Sequence, residues 1–73
     1  MDVKRLLPDP RKVRKNDMDT LFDLRRISHQ YRMGRITATE AMAQIDERFK
    51  KHDEDYDNMY RAFYDALKEE ETE

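Results

Sequence analysis

The stretch Gln30-Tyr-Arg-Met-Gly-Arg-Ile-Thr-Ala-Thr-Glu-Ala41 decides the fold of this chain. It contains the only glycine, Gly34, which suits the left-handed position that ends many helices. Thr37 and Glu40 then have the spacing of a capping box, in which Thr37 accepts from the Glu40 amide and Glu40 reaches back to the Thr37 amide. A stop signal followed this closely by a start signal predicts two helices joined by a tight turn, Gly34–Thr37.

The first helix is predicted to run from about Pro10 to Met33, or to start later, at Asp17. Asp9 can cap a helix whose first residue is Pro10, a position that proline favours. Asn16 and Asp17, however, prefer caps to helix interiors, which favours the later start. At about 100° per residue, one side of this helix carries the residues expected to face a neighbour: Val13, Thr20, Leu24, Ile27 and Tyr31, with Leu21 at the edge.

The second helix is predicted to run from Ala38 to about Glu69, because neither glycine nor proline interrupts this part of the chain. Its apolar stripe follows alternating steps of three and four: Met42, Ile45, Phe49, His52, Tyr56, Met59, Phe63 and Ala66. A short turn makes the helices antiparallel neighbours, so facing residues have numbers that add up to about 71. The predicted fold is all-α, with an N-terminal arm 1–9, an antiparallel helical hairpin 10–70 and a frayed acidic tail 71–73.

The second helix is much longer than the segment 17–33 of the first helix, so the C-terminal half of the second helix needs a cover. A soluble protein rarely exposes an apolar patch of that size. One alternative is that Val13 and the N-terminal segment with Val3, Leu6 and Leu7 fold back over it. The other is that a second copy of the chain covers it in a four-helix dimer. The residues to be covered are Tyr56, Met59, Tyr60, Phe63, Tyr64 and Leu67.

Composition excludes most catalytic and metal chemistry. The 73 residues include no cysteine, one glycine and a single serine, Ser28, which leaves no thiol nucleophile and no glycine-rich phosphate loop. The acidic run 53–57 lacks the glycine and the bidentate glutamate of a calcium loop, because Asn58 and Tyr64 occupy those positions. His29 and His52 have no metal-ligand spacing. We therefore expect no enzyme activity, no metal, no cofactor and no small-molecule substrate.

The charges are distributed unevenly, and they suggest two binding surfaces. Residues 1–39 carry a net charge of +5 and residues 40–73 carry −7. A basic stripe on the first helix, with Met18 and Phe22 on the same line, suits phosphate contact and base stacking: Arg11, Arg14, Lys15, Arg25 and Arg32. An acidic aromatic surface on the second helix suits docking on a basic protein: Asp53, Asp57, Tyr60, Tyr64 and Asp65.

Three functions follow from these features. We expect first a small protein-interaction module, a regulator or inhibitor, that docks on a partner protein through the acidic aromatic surface. The alternatives are a nucleic-acid-binding accessory protein that uses the basic stripe, and a structural self-assembly module that forms a homodimer. In size and charge density the chain resembles small accessory proteins of bacteria and their viruses. No apolar segment approaches the roughly 20 residues of a membrane helix, so we expect a cytoplasmic protein without membrane contact.

Overall fold

The protein is an all-α helical hairpin, as the capping signals predict. The computed structural model describes residues 3–71, which form a short 3₁₀ helix, Val3–Leu6, and two α-helices, α1 (Pro10–Arg32) and α2 (Ala38–Glu71). The two α-helices pack against each other, and the described residues form no strand. The helix α2 extends to Glu71, and the rest of the predicted frayed tail, 72–73, lies outside the described residues.

The earlier of the two predicted starts of α1 is the correct one. Asp9 is its N-cap, with an extended backbone and a side-chain oxygen that accepts from the Arg11 amide at 2.9 Å, and Pro10 is the first helical residue. Asn16 does not interrupt the helix, because its side chain is buried against α2. There its Nδ2 donates to the main-chain oxygen of His52 at 3.2 Å. A residue that prefers caps is thus held inside a helix by a bond across the hairpin.

The turn at Gly34 has the geometry that its sequence predicts. Gly34 adopts a φ of +73°, the left-handed conformation that glycine tolerates best, and its amide donates to the Tyr31 carbonyl. At the start of α2, Thr37 accepts from the Glu40 amide at 3.1 Å. The reciprocal bond differs from the prediction, because the Glu40 carboxylate meets the Thr37 hydroxyl at 3.2 Å and not the Thr37 amide.

The hairpin is one helix thick, and its core is correspondingly thin. Its principal dimensions are 56 × 24 × 10 Å. Bonds between helices join residues whose numbers add up to about 71, as in Asp23 with Arg48, so the predicted register is confirmed. Within the described residues no large side chain is completely buried, and the buried positions with 8% exposure or less are Asn16, Thr20, Ile27, Ala41 and Ala66.

Three residues predicted to face the core are exposed, and for these the prediction is wrong. Tyr31, Met42 and Phe49 are 50%, 61% and 46% exposed. They lie toward the edge of the helix–helix contact, where a layer of two helices has no third element to cover them. Helical periodicity identified the correct side of each helix but not how much of it the neighbouring helix reaches.

The N-terminal arm provides the cover for the C-terminal half of α2. The 3₁₀ helix Val3–Leu6 packs on α2, and Leu7 and Pro8 line a cleft together with Tyr60. Most of the aromatic residues expected to need cover are half-buried there, and Ala66 is buried. The cover is partial, because Leu6 and Leu7 remain 40% and 44% exposed and Tyr64 is 41% exposed.

Candidate interaction surfaces

A histidine bridges the two helices at the middle of the hairpin. Nε2 of His52 lies 2.7 Å from a carboxylate oxygen of Asp17 on α1, and Nδ1 lies 3.1 Å from a carboxylate oxygen of Asp53. Two hydrogen bonds raise the pKa of His52 above its ordinary value of 6.5, and the bond with Asp17 contributes more than the bond with Asp53. The protonated ring thus fits this position, and Asp17 is engaged by it.

A second polar junction lies on the opposite edge of the helix–helix contact. Nε of Arg48 donates to Asp23 on α1, and Arg26 lies 3.5 Å from the same carboxylate. The hydrogen bond from Arg48 is the main reason why the pKa of Asp23 is lowered from 3.8. The Arg48 side chain is only 13% exposed, and its Nη1 has no hydrogen-bond partner among residues 3–71. Asp23 is therefore needed to compensate a largely buried guanidinium.

The basic stripe leaves its charges in solvent. The five residues predicted to form it are all exposed, and none makes an ion pair within residues 3–71: Arg11, Arg14, Lys15, Arg25 and Arg32. Met18 and Phe22, on the same side of α1, are 42% and 57% exposed. An open depression of about 440 Å³ lies between Arg25, His29 and Arg32. Because Asp17 and Asp23 are engaged elsewhere, they do not neutralise this stripe.

An aromatic ladder runs along the C-terminal half of α2. Its rings are spaced four residues apart, with centroid distances of 6.3 Å from His52 to Tyr56, 4.6 Å from Tyr56 to Tyr60 and 5.7 Å from Tyr60 to Tyr64. Phe63 packs against Tyr64 at 6.0 Å. Hydrogen bonding with Tyr56 is the main cause that raises the pKa of Tyr60 above 10.0. Each ring of the ladder packs against the next, and Tyr64, the last ring, contacts both Tyr60 and Phe63.

The residues predicted to form the acidic aromatic surface fall into two groups. Tyr60, Tyr64, Asp53 and Asp57 share one stripe of α2, whereas Asp65 follows Tyr64 directly and is rotated by about 100°. Both aspartates of the stripe are exposed, as is Tyr64. Tyr60 is half-buried and lines the cleft of about 680 Å³ beneath the N-terminal arm. Tyr64 is therefore the exposed ring of this surface, and Tyr60 packs against it.

A third surface lies at the Gly34 half of the hairpin, on the sides of α1 and α2 that helical periodicity predicts to face the core. We call it the apolar face, and its residues are Leu21, Leu24, Tyr31, Met42, Ile45 and Phe49. Leu24 and Ile45 are half-buried, while Leu21 is 41% exposed and the other three are more exposed still. The low apolar content of the chain, 37%, is consistent with a core too small to enclose them.

Residues 3–71 hold neither a metal-binding cluster nor a helix that could cross a membrane. No group of three or more histidine, aspartate or glutamate side chains there is arranged to hold a metal ion. None of the three helices in residues 3–71 has the length and apolar character of a membrane-spanning segment. Comparison of the chain with known protein families, with curated proteins and with solved structures finds no match.

Proposed function

We propose that this chain is a small, non-enzymatic protein-interaction module of the cytoplasm. It acts as a regulator or inhibitor by docking on a basic surface of a partner protein through the acidic aromatic surface of α2. The observation that carries the proposal is the ladder that ends in Tyr64. A ring fixed by its neighbours loses little conformational entropy on binding, and tyrosine is among the residues that contribute most at protein interfaces.

The charges around this anchor determine the kind of partner. Asp53 and Asp57 lie two helical turns and one helical turn before Tyr60, on the same side of α2 as Tyr64, and both are exposed. Carboxylates at the rim of an aromatic anchor speed up encounters with a basic surface and discourage acidic ones. The helix α2 as a whole carries five basic and eleven acidic residues. Partners with exposed lysine and arginine are therefore favoured.

Affinity capture with two matched triple variants tests this proposal. The first combines Tyr64→Ala with Asp57→Asn and Asp65→Asn. The control combines Phe22→Ala with Glu47→Gln and Glu54→Gln, and so removes the same charge and one exposed aromatic ring from other surfaces. We expect the wild type and the control to retain the same basic proteins, and the first variant to lose them. Equal recovery by all three proteins would show that the acidic aromatic surface is not the docking site.

The basic stripe supports a second candidate function, the binding of nucleic acid. Its cations are free of ion pairs in the described residues and flank the exposed ring of Phe22, an arrangement that suits phosphate contact with base stacking. Titration with single-stranded and duplex oligonucleotides at several salt concentrations tests it. Binding that weakens steeply with salt, and that Arg25→Gln with Arg32→Gln reduces, would support this function. No binding at low salt would eliminate it.

A further inference from the structure

The apolar face is continuous across both helices. The contact between His52 and Asp17 shows which edges of α1 and α2 adjoin on this side. Leu21 and Leu24 follow Asp17 at steps of four and three, and Phe49, Ile45 and Met42 precede His52 at steps of three and four. Residues at such steps share one side of a helix. The exposed side chains therefore form a single surface on the side of the hairpin opposite the junction of Asp23 with Arg48.

We propose that a second copy of this chain covers the apolar face, so that two hairpins form a four-helix bundle. The 23 residues of α1 span about 34 Å, and the hairpin is 24 Å wide, so one side of it offers roughly 800 Å². A stable protein–protein interface buries about 800 Å² on each partner. One whole side of the hairpin along α1 thus has the size that a dimer needs, and the apolar residues occupy the half of that side nearest Gly34.

Charge determines how the two copies are oriented. The lysine, arginine, aspartate and glutamate residues of the two helices give α1 a net charge of +4 and α2 a net charge of −6. A two-fold axis perpendicular to the helices would stack α1 on α1 and α2 on α2, which places like charges together. A two-fold axis parallel to the helices stacks α1 of each copy on α2 of the other, with antiparallel neighbours throughout. The complementary charges favour the parallel axis.

This orientation makes a specific ion pair at the edge of the interface. Rotation about an axis parallel to the helices leaves the height of each residue along that axis unchanged. Within one copy, Asp23 and Arg48 lie at the same height. Arg25 of one copy and Asp46 of the other therefore also lie at the same height, because their numbers have the same sum. Arg25 follows Leu21 by one turn, and Asp46 follows Met42 by one turn, so both border the apolar face. Both are exposed, and neither makes an ion pair within residues 3–71.

Sedimentation equilibrium of the full chain, over a wide range of protein concentration, tests the proposal. The wild type is expected to reach twice the monomer mass. Leu21→Glu with Phe49→Glu is expected to remain monomeric with its helical circular dichroism unchanged, because both residues are already more than 40% exposed. The control Phe22→Glu, on the solvent side of α1, is expected to leave the dimer intact. A monomeric wild type, or a Leu21/Phe49 variant that still dimerises, would overturn the proposal.

A charge exchange tests the orientation. Arg25→Glu and Asp46→Arg are each expected to weaken the dimer by about tenfold, because the pair occurs twice in a two-fold dimer and each exposed ion pair contributes a few-fold. The double variant is expected to recover the wild-type affinity. Failure of the double variant to recover would overturn the parallel two-fold axis. A monomeric chain that still captures basic proteins through Tyr64 would remove the dimer and leave the proposed function in place.

Discussion

The bridge from Asp17 to His52 makes the stability of the hairpin depend on pH in the range where histidine titrates. The pKa of His52 is raised in the folded protein, so the folded state binds a proton more tightly than the unfolded chain does. The protonated bridge therefore stabilises the fold fully below about pH 6.5, the ordinary pKa. That contribution is lost as the pH rises through the raised pKa. We expect the hairpin to be more stable at pH 6 than at pH 9.

The size of the effect follows from the exposure of the two side chains. A hydrogen bond to a charged group contributes about 1.5–3 kcal/mol when shielded from water, and an exposed ion pair contributes less than about 1 kcal/mol. His52 is 20% exposed but Asp17 is 58% exposed, so solvent screens the bridge, and we expect a contribution of about 1 kcal/mol. In a domain of this size that corresponds to about 4–8 °C in melting temperature.

Thermal unfolding followed by circular dichroism between pH 6 and pH 9, at constant protein concentration, measures the effect. His52→Gln should abolish most of the pH dependence. Asp17→Asn should reduce it more than Asp53→Asn, because the bond to Asp17 is the larger cause of the raised pKa. His29→Gln is the matched control, since His29 is exposed on the other side of α1. If the melting temperatures of His52→Gln and of the wild type fall by the same amount between pH 6 and pH 9, the bridge does not stabilise the fold.

Three further substitutions test the turn, the cap and the second junction by chemical unfolding. Gly34→Ala should lower the free energy of unfolding by about 1–2 kcal/mol, because alanine is strained in the left-handed conformation. The added methyl group meets nothing within 4 Å, so backbone strain is the whole effect. An unchanged free energy of unfolding would contradict the left-handed conformation of Gly34. Thr37→Ala should lower the free energy of unfolding by about 1 kcal/mol, because it removes the acceptor of the Glu40 amide in the first turn of α2; no loss would mean that the cap is dispensable. Asp23→Asn should lower the free energy of unfolding by leaving Arg48 uncompensated, whereas Asp19→Asn should not; equal effects would contradict a specific role for the junction.

The parts of the fold that sequence predicts correctly are those that depend on neighbouring residues. The bond from the Arg11 amide to Asp9 and the left-handed Gly34 each involve a few consecutive positions, so their residue types suffice to predict them. The antiparallel register follows from the short turn for the same reason. The start of α1 was left open because the preference of Asn16 for caps is also a local signal, and here a bond to the other helix outweighs it.

The interaction surfaces were predicted less completely, because exposure depends on what lies beyond the neighbouring helix. Periodicity places Met42 and Phe49 on the inner side of α2, but it does not reveal that the hairpin is only one layer thick. The basic stripe lies on the outer side of α1, which periodicity alone determines, and its residues are exposed as expected. Tyr60 illustrates an intermediate case, because the N-terminal arm that half-covers it is far away in sequence.

The antiparallel hairpin also has nested contacts, and this sets the order in which the chain can fold. The bonds at Gly34 close only a few residues, Asp23 and Arg48 are 25 residues apart, and Asp17 and His52 are 35 apart. The entropy cost of loop closure rises with each step outward, and the N-terminal arm, which lines a cleft together with Tyr60, joins parts of the chain that are farther apart still. Folding should therefore zip from the turn toward the termini, with the arm docking last. In native-state hydrogen exchange, amides around the arm should open first, at the end of the molecule that presents Tyr64.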